Sequence, residues 1–479
     1  MFNKSQIQAI SHMDGPAMVL AGPGSGKTTV ITHRIKNLIE KAEVHPENIL
    51  VVTFTKAAAI SMQKRFSTLM NGGKGQLVTF GTFHSVFYKI LRKSRRYEAT
   101  EILSERQKTD YIREIIGRYG ISSNDISELS QNIINDIGNI KGNMLNAQEY
   151  EPSCCKKEDF IKVYNAYNLE LKKDGKMDFD DILRECYLLL CENHTILEQW
   201  RELYKYILID EFQDINRIQM NIIELLASPL NNIFVVGDDD QSIYGFRGAR
   251  PEIMIEFKDY YPEAELIVLD VNYRSTQSII NVAGRVIENN KTRLDKCAHA
   301  NNNKDFQPDI RKFRNQVEEL KFVVSKIKEY ENQGISLSEM AILVRNNSQI
   351  QEISSFLKNR KIEAESGKHR SNIYNGMVAK DILSYVRGAL KFDGTYFNED
   401  LIYVLNKPQR YISRQVVLSV NMNISAVRRI YSKNNIDSFL FHIEMIRKLP
   451  PQAALSYIRK GAGYEEYLRL YAIENNIPM

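Results

Sequence analysis

Short apolar runs bounded by turn-forming residues recur along the chain. They lie at residues 17–21, 49–54, 77–80, 206–210 and 233–237. Runs of this length without a polar face are typical of strands that are buried on both sides of a sheet. The segments between them favour helices, so we expect an α/β fold in which helices cover both faces of a parallel sheet. In such folds the ligand chemistry lies at the carboxyl ends of the strands.

The same pattern predicts how the chain divides. Residues 86–177 are rich in Ile, Leu, Tyr, Lys and Asn without strand-like alternation, which favours a helical insert. We therefore expect a first lobe made of residues 1–85 and 178–265. A second α/β unit is expected at 266–372, with strands at 266–269 and 340–345, followed by a second helical insert at 373–479.

Composition adds few constraints to this organisation. The net charge of +5 permits a polyanionic partner without requiring one. The five cysteines have neither CxxC spacing nor nearby His partners, so we interpret them as reduced thiols rather than zinc ligands. No apolar stretch approaches the roughly 18 residues that a membrane span needs, and the first residues are polar. The sequence therefore predicts a soluble, cytoplasmic protein without a membrane partner.

A glycine-rich loop follows the first predicted strand and precedes a helical segment. Glycines in this setting let backbone N–H groups converge on phosphates, while the lysine neutralises the β- and γ-phosphates and the threonine hydroxyl can hold Mg²⁺. The sequence therefore predicts a P-loop that binds a nucleoside triphosphate. Its residues are Ala21, Gly22, Pro23, Gly24, Ser25, Gly26, Lys27 and Thr28.

An acidic pair follows the predicted strand at 206–210. Asp210 is expected to approach Mg²⁺, and Glu211 to polarise the attacking water as the catalytic base. An acidic pair after a strand is common on its own. Together with the phosphate loop, it predicts a hydrolytic site at the edge of the sheet.

Several motifs in register resemble the UvrD/Rep/PcrA-type superfamily 1A DNA helicases. They are, in order, Gln6, AGPGSGKT, TFTKAAA, GTFHS, DEFQD, VVGDDDQSIYGFRGA and NYRS. The resemblance implies a RecA-like first motor lobe at 1–85 and 178–265 and the start of a second RecA-like lobe at 266–372. It also implies an ATP- and Mg²⁺-dependent 3′ to 5′ helicase or translocase that acts on single-stranded DNA and ss/ds junctions in DNA repair or replication.

The resemblance also implies roles for residues outside the phosphate loop. Gln6 would read the adenine edge, and Tyr273 would stack on the adenine ring. Gln241 would sense the γ-phosphate and orient water. Arg247 and Arg274 would supply positive charge where negative charge develops during phosphoryl transfer, with structural ion pairs as the alternative for both arginines.

Aromatic residues near the predicted strand ends suggest a track for DNA bases. Single-strand binding without sequence preference needs aromatic faces beside polar or cationic groups. By resemblance the track comprises Phe54, His84, Tyr244 and Phe246, whereas Phe83 is expected in the core. Phe246 stands where the family usually carries Trp, so its stacking surface is smaller. A basic run at residues 89–96 is equally well interpreted as a duplex contact or as a solvated face.

Two later blocks of the family pattern, one similar to HxxKGLE and one similar to TRA, do not occur in the sequence. We therefore expect an incomplete second lobe and a truncated second helical insert. Three interpretations remain open: a gene fragment, a split helicase that a second polypeptide completes, and a regulatory module that binds ATP and DNA without unwinding. A motor subunit of a nuclease-linked complex is a further form of the split arrangement.

Overall fold

A computed structural model describes residues 2–71, 77–94, 102–121, 123, 126–302, 305–365, 376–431 and 433–474. The chain separates into two compact units, Met1–Ile310 and Arg311–Met479. Among the described residues, no helix combines the length and the apolar character that crossing a bilayer would require.

Unit 1 is built on a six-stranded sheet of order β3-β2-β4-β5-β1-β6, in which every neighbouring pair is parallel. The α/β class and the parallel sheet predicted from the sequence are therefore confirmed. The strands are β1 (Ala17–Ala21), β2 (Ile49–Thr53), β3 (Thr79–Thr82), β4 (Tyr206–Ile209), β5 (Ile233–Gly237) and β6 (Glu265–Leu269), and a separate parallel pair consists of β7 (Val271–Asn272) and β8 (His299–Ala300).

The central strands are buried on both faces because side chains alternate between two hydrophobic cores. In β1, Met18 and Leu20 join one core, while Ala17, Val19 and Ala21 join the other. The covering helices of the lobe are α1 (Lys4–Ser11), α2 (Lys27–Glu40), α3 (Lys56–Leu69), α4 (Phe83–Ser94), α8 (Phe179–Glu192), α9 (His194–Leu203), α10 (Arg217–Ala227), α11 (Glu252–Ile255) and α12 (Phe257–Tyr260). A further helix, α13 (Gln277–Ile287), packs beside β8 and adds no residue to either core.

The predicted insert between β3 and β4 is helical in its described residues. Besides α4, it contains α5 (Glu105–Arg118), α6 (Ile126–Asn143) and α7 (Lys157–Lys173), which share a separate apolar core. A buried ion cluster fixes this insert to the start of α8: Lys108 and Lys141 lie 3.2 and 3.0 Å from Asp178. Burial opposes ionisation of Asp178, but the two lysines hold its pKa well below the ordinary range.

Of the two strands predicted for the second α/β unit, the one at 266–269 forms but joins the first sheet, and the one at 340–345 does not form. Residues 266–269 form part of β6, which pairs with β1 and extends the first sheet. The pairing buries Ile267 and Leu269, and an apolar run cannot reveal in advance which sheet it will join. Residues 340–345 are not a strand: Leu343 is 94 % exposed, and the described part of unit 2 has no strand to pair with them.

Unit 2 is helical in its described residues, as the sequence predicted for the segment from 373 onward. A core centred on Tyr385, Phe397 and Phe439 holds most of these helices together. The helices are α14 (Gln316–Asn332), α15 (Asn347–Lys358), α16 (Met377–Leu390), α17 (Glu399–Val404), α18 (Arg414–Ser419), α19 (Ile424–Ile430), α20 (Lys433–Lys448), α21 (Pro451–Ser456) and α22 (Tyr464–Glu474).

Candidate functional site

The glycine-rich loop links β1 to α2 at the carboxyl edge of the sheet. Gly24 and Gly26 have φ angles of +72° and +94°, conformations that a residue with a Cβ adopts at a cost. No side chain caps the first turn of α2, so its N–H groups remain available to an anion. The Lys27 ammonium donates to the Ala21 carbonyl, 3.1 Å away, at the end of β1. This is the geometry of a phosphate-binding loop.

The NYRS segment after β6 packs directly on this loop. Asn272 Nδ2 donates to the Pro23 carbonyl at 2.7 Å, and the Tyr273 amide donates to the Gly24 carbonyl at 2.9 Å. A Cβ on Gly24 would lie 2.7 Å from both Asn272 Oδ1 and Arg274 Cβ. Tyr273 and Arg274 are exposed beside the loop, where the sequence predicted them to act.

Asn272 was not assigned a role from the sequence, although it belongs to the NYRS block. Its Oδ1 accepts from the backbone amides of Arg274 and Ser275, both at 2.8 Å, and its side chain is almost fully buried. One amide group therefore shapes the turn and attaches it to the phosphate loop.

Gln6 also lies against the phosphate loop. Its Nε2 donates to the Ser25 carbonyl at 3.0 Å, and its Oε1 accepts from the Asn3 amide as part of the cap of α1. Both ends of the side-chain amide thus have a partner in the protein. Contact with adenine stays a prediction, and it would use the remaining donor and acceptor positions of this amide.

The acidic residues after β4 form a buried group near Lys27. Burial, followed by the charge of Glu211, raises the pKa of Asp210 to about 7, and the same two causes raise the pKa of Asp214 to about 6. The Oδ1 atoms of Asp210 and Asp214 are buried without a hydrogen-bond partner. Carboxylate oxygens left unsatisfied beside a phosphate loop fit a divalent cation, which would offset their mutual repulsion.

Glu211 is joined to Gln241 through Gln213 and Asp238. Glu211 has a left-handed backbone with φ +54°, and its Oε2 accepts from Gln213 Nε2 at 2.9 Å. Gln213 Oε1 accepts from the Asp238 amide at 3.0 Å, and Asp238 Oδ2 accepts from Gln241 Nε2 at 2.6 Å. The predicted water-activating residues therefore share one hydrogen-bonded chain, and the sequence analysis assigned no role to its two central members, Gln213 and Asp238.

Three of the aromatic residues predicted for the DNA track, Phe54, Tyr244 and Phe246, lie in a row. The Phe54 and Tyr244 rings lie 4.8 Å apart, and those of Tyr244 and Phe246 lie 6.1 Å apart. Phe246 is 59 % exposed, so its face is accessible to a base. The Arg247 guanidinium lies 5.9 and 5.7 Å from the centroids of the Tyr244 and Phe246 rings, respectively. The structure thus brings Arg247 to the aromatic row, and its predicted role at the γ-phosphate stays a prediction.

His84 lies at the start of α4. Its ring packs edge-on against Phe179, with centroids 5.8 Å apart, and burial lowers its pKa despite the opposing charges of Asp180 and Asp178. Phe83 is in the core, as predicted. In the basic run at 89–96, Arg95 and Arg96 lie outside the described residues.

The helical insert supports the loop that carries Tyr244 and Phe246. Asn143, at the end of α6, donates from Nδ2 to the Gly248 carbonyl at 3.0 Å. Its Oδ1 accepts from the Arg217 amide at 3.3 Å, and the side chain is buried. A single residue of the insert therefore connects the loop to the start of α10.

Comparison with known proteins gives matches along almost the whole chain. Residues 2–262 match the UvrD/REP helicase N-terminal domain, and residues 267–474 match the UvrD-like helicase C-terminal domain. YjcD of Bacillus subtilis strain 168 is 32 % identical over 487 aligned residues, which cover 99 % of this chain and 64 % of YjcD.

The ATP-dependent DNA helicase PcrA of Staphylococcus aureus strain Mu50 is 32 % identical over 447 residues, which cover 91 % of this chain and 59 % of that protein. PcrA of Staphylococcus epidermidis has the same identity and the same coverage, over 449 residues. The chain thus spans 59 to 64 % of the length of these relatives.

Proposed function

The chain belongs to the UvrD/Rep helicase family, and we propose on this basis that it hydrolyses ATP to move along single-stranded DNA. The direction that the family implies is 3′ to 5′, and the substrates are single strands and ss/ds junctions. Relatives named as ATP-dependent DNA helicases support the assignment to ATP and DNA.

In this proposal the glycine-rich loop binds the phosphates of ATP. Backbone N–H groups of residues 24–28 surround the β- and γ-phosphates, and Lys27 moves from the Ala21 carbonyl to the phosphate oxygens. Gln6 contacts the adenine edge, Tyr273 stacks on the ring, and Arg274 neutralises charge that develops on the γ-phosphate.

Thr28 and Asp210 are the residues that would hold Mg²⁺, which supplies neutralisation of phosphate charge when it is bound. Glu211 accepts a proton from the attacking water, and Gln241 orients that water toward the γ-phosphate. The unpaired, buried Oδ1 of Asp210 supports the metal assignment.

Phe54, Tyr244 and Phe246 are proposed to stack on successive bases, with His84 at the edge of the same track and Arg247 offering charge to the backbone. One observation carries the proposal. The segment 238–247 begins in the hydrogen-bonded chain that ends on Glu211, and it finishes in the aromatic row. A change at the γ-phosphate thus has a path of a few residues to bound DNA.

Steady-state ATP hydrolysis with and without single-stranded DNA tests the proposal. We expect DNA to stimulate turnover. Lys27→Ala should lose nucleotide binding, whereas Glu211→Gln should retain binding and lose hydrolysis, because it keeps the shape of the site and removes the base. Hydrolysis that DNA does not alter, or that survives in Glu211→Gln, would refute the assignment.

Strand separation is a separate activity and needs its own assay on a forked duplex. ATP hydrolysis that DNA stimulates, without strand displacement, would identify an ATP- and DNA-binding module that does not unwind by itself. Displacement that this chain achieves alone would identify a complete motor.

A further inference from the structure

Three consecutive carboxylates crowd the end of β5. One oxygen from each of Asp238, Asp239 and Asp240 lies within 4.8 Å of the others, and Asp238 is fully buried. Three negative charges this close repel one another strongly unless a cation lies among them. Such a cluster resembles a metal-ligand set, but a cation of the chain itself occupies it.

That cation is Lys296, from the segment between α13 and β8. Its Nζ lies 2.7, 2.5 and 2.8 Å from oxygens of Asp238, Asp239 and Asp240, respectively. An ammonium has three donors, and here each donor has a carboxylate. Burial alone would lower the pKa of Lys296, but its bonds to the three carboxylates raise it, so the side chain stays charged.

Neighbouring residues attach the same segment to the cluster. Arg293 makes two hydrogen bonds to Asp240, at 3.0 and 2.7 Å, and the Leu294 amide donates to Asp239 Oδ2 at 2.9 Å. The two acceptors lie more than fifty positions before these donors in the sequence. Residues 293–296 therefore form a tether, which we call the 293–296 tether, on the carboxyl end of β5.

Asp238 connects this tether to the proposed hydrolysis site. One of its oxygens binds Lys296 and the other accepts from Gln241 Nε2 at 2.6 Å. Its backbone amide donates to Gln213, which donates in turn to Glu211. The ammonium of Lys296 is thus one residue removed from the glutamine proposed to orient the attacking water.

We propose that Lys296 is a positioning residue for ATP hydrolysis, acting through Asp238 to hold the Gln241 amide in its working orientation. The inference rests on the proposed function. Without the ammonium, Asp238, Asp239 and Asp240 repel one another, and the turn at 239–241 opens to separate their charges. Gln241 then loses its fixed partner, while the phosphate loop keeps its own contacts with Asn272 and Gln6.

Lys296→Met tests this idea in steady-state hydrolysis with saturating single-stranded DNA. We expect kcat to fall at least about tenfold, equivalent to about 1.4 kcal/mol on the barrier, with the KM for ATP within about twofold of wild type. Lys291→Met is the matched control, because Lys291 is an exposed lysine just before the tether. It should leave both constants unchanged.

A double variant separates positioning from simple neutralisation of charge. If Lys296 acts through Gln241, then adding Lys296→Met to Gln241→Ala should lower kcat by less than about twofold, because the residue being positioned is already gone. Lys296→Arg keeps the charge but replaces a compact ammonium with a planar fork. It should fold normally and regain only part of kcat.

Three results would overturn the inference. The first is an unchanged kcat in Lys296→Met. The second is that Lys296→Met lowers kcat by the same factor in the Gln241→Ala background as in the wild type, and the third is full recovery of kcat in Lys296→Arg. Hydrogen–deuterium exchange provides a readout that needs no turnover. Peptides covering 238–244 should exchange faster in Lys296→Met than in Lys291→Met, and equal exchange rejects the tether. A wild-type chain without DNA-stimulated hydrolysis refutes the proposed function separately, and exchange still decides whether the tether exists.

Discussion

Replacing Asn272 tests how far the NYRS segment shapes the phosphate loop. Asn272→Ala removes three hydrogen bonds: one to the Pro23 carbonyl and two from the amides of Arg274 and Ser275. At a net value of about 1 kcal/mol each, their loss costs about 3 kcal/mol of local stability. Loss of the bond to Pro23 also leaves the Pro23 carbonyl without its partner. These two effects together account for about 1–2 kcal/mol of the total.

Because the bond from Asn272 holds the loop in the conformation described above, we expect that share to appear in nucleotide affinity. A cost of about 1–2 kcal/mol raises the Kd for ADP by roughly 5- to 30-fold. Fluorescence titration with a labelled ADP measures this directly, and circular dichroism melting confirms that each variant is folded.

Asn272→Ser separates the two functions of this side chain. A serine hydroxyl can accept from the amides two and three residues onward, but it is too short to reach the Pro23 carbonyl. We expect Asn272→Ser to bind ADP almost as weakly as Asn272→Ala while melting closer to wild type. The reasoning fails if both variants bind ADP with wild-type affinity.

Three further predictions concern the aromatic row, its support and the acidic group. Phe246→Ala should weaken binding of a fluorescent oligonucleotide by about 1–3 kcal/mol, the value of one stacked base, and Phe246→Trp should strengthen it. Equal affinities of the two variants and the wild type would exclude Phe246 from the track. Asn143→Ala should weaken the same binding while leaving the Kd for ADP unchanged, because it frees the Gly248 carbonyl but does not touch the phosphate loop. Asp210 keeps its proton up to about pH 7 when folded, against an ordinary pKa of 3.8. The folded, metal-free protein therefore loses stability as pH rises between these values, by up to about 1.4 kcal/mol per pH unit. In urea unfolding with a chelator, Asp210→Asn should have a larger free energy of unfolding than wild type at pH 7.5 and a similar one at pH 4. The same difference between the two proteins at both pH values would contradict the raised pKa of Asp210.

Periodicity predicted the sheet well because most of its strands are short and apolar. The runs at 17–21 and 233–237 correspond to β1 and β5 residue for residue. The strand predicted at 77–80 begins and ends two residues later, at Thr79–Thr82. Pairing was harder to predict. The run at 266–269 was recognised as a strand but assigned to the wrong sheet, since apolar character specifies burial without specifying the neighbour.

The candidate site divides in the same way between local and distant contacts. The phosphate loop was predictable because its glycines, lysine and threonine are contiguous, and so were the acidic pair and the aromatics that follow strands. Gln213 and Asn272 were inside recognised blocks, but their roles depend on which carbonyl or amide the fold brings within 3 Å. Sequence spacing carries no such information.

Lys296 illustrates the limit most clearly. In the sequence it is one of 64 Lys and Arg residues and belongs to no recognised block. Nothing in its immediate surroundings distinguishes it from a solvated lysine. Only the return of the chain after α13 to the end of β5 gives it three carboxylate partners. Three carboxylates packed together around a buried Asp238 need such a partner. The sequence shows only that Asp238, Asp239 and Asp240 are consecutive, whereas the fold shows that they cluster around Lys296.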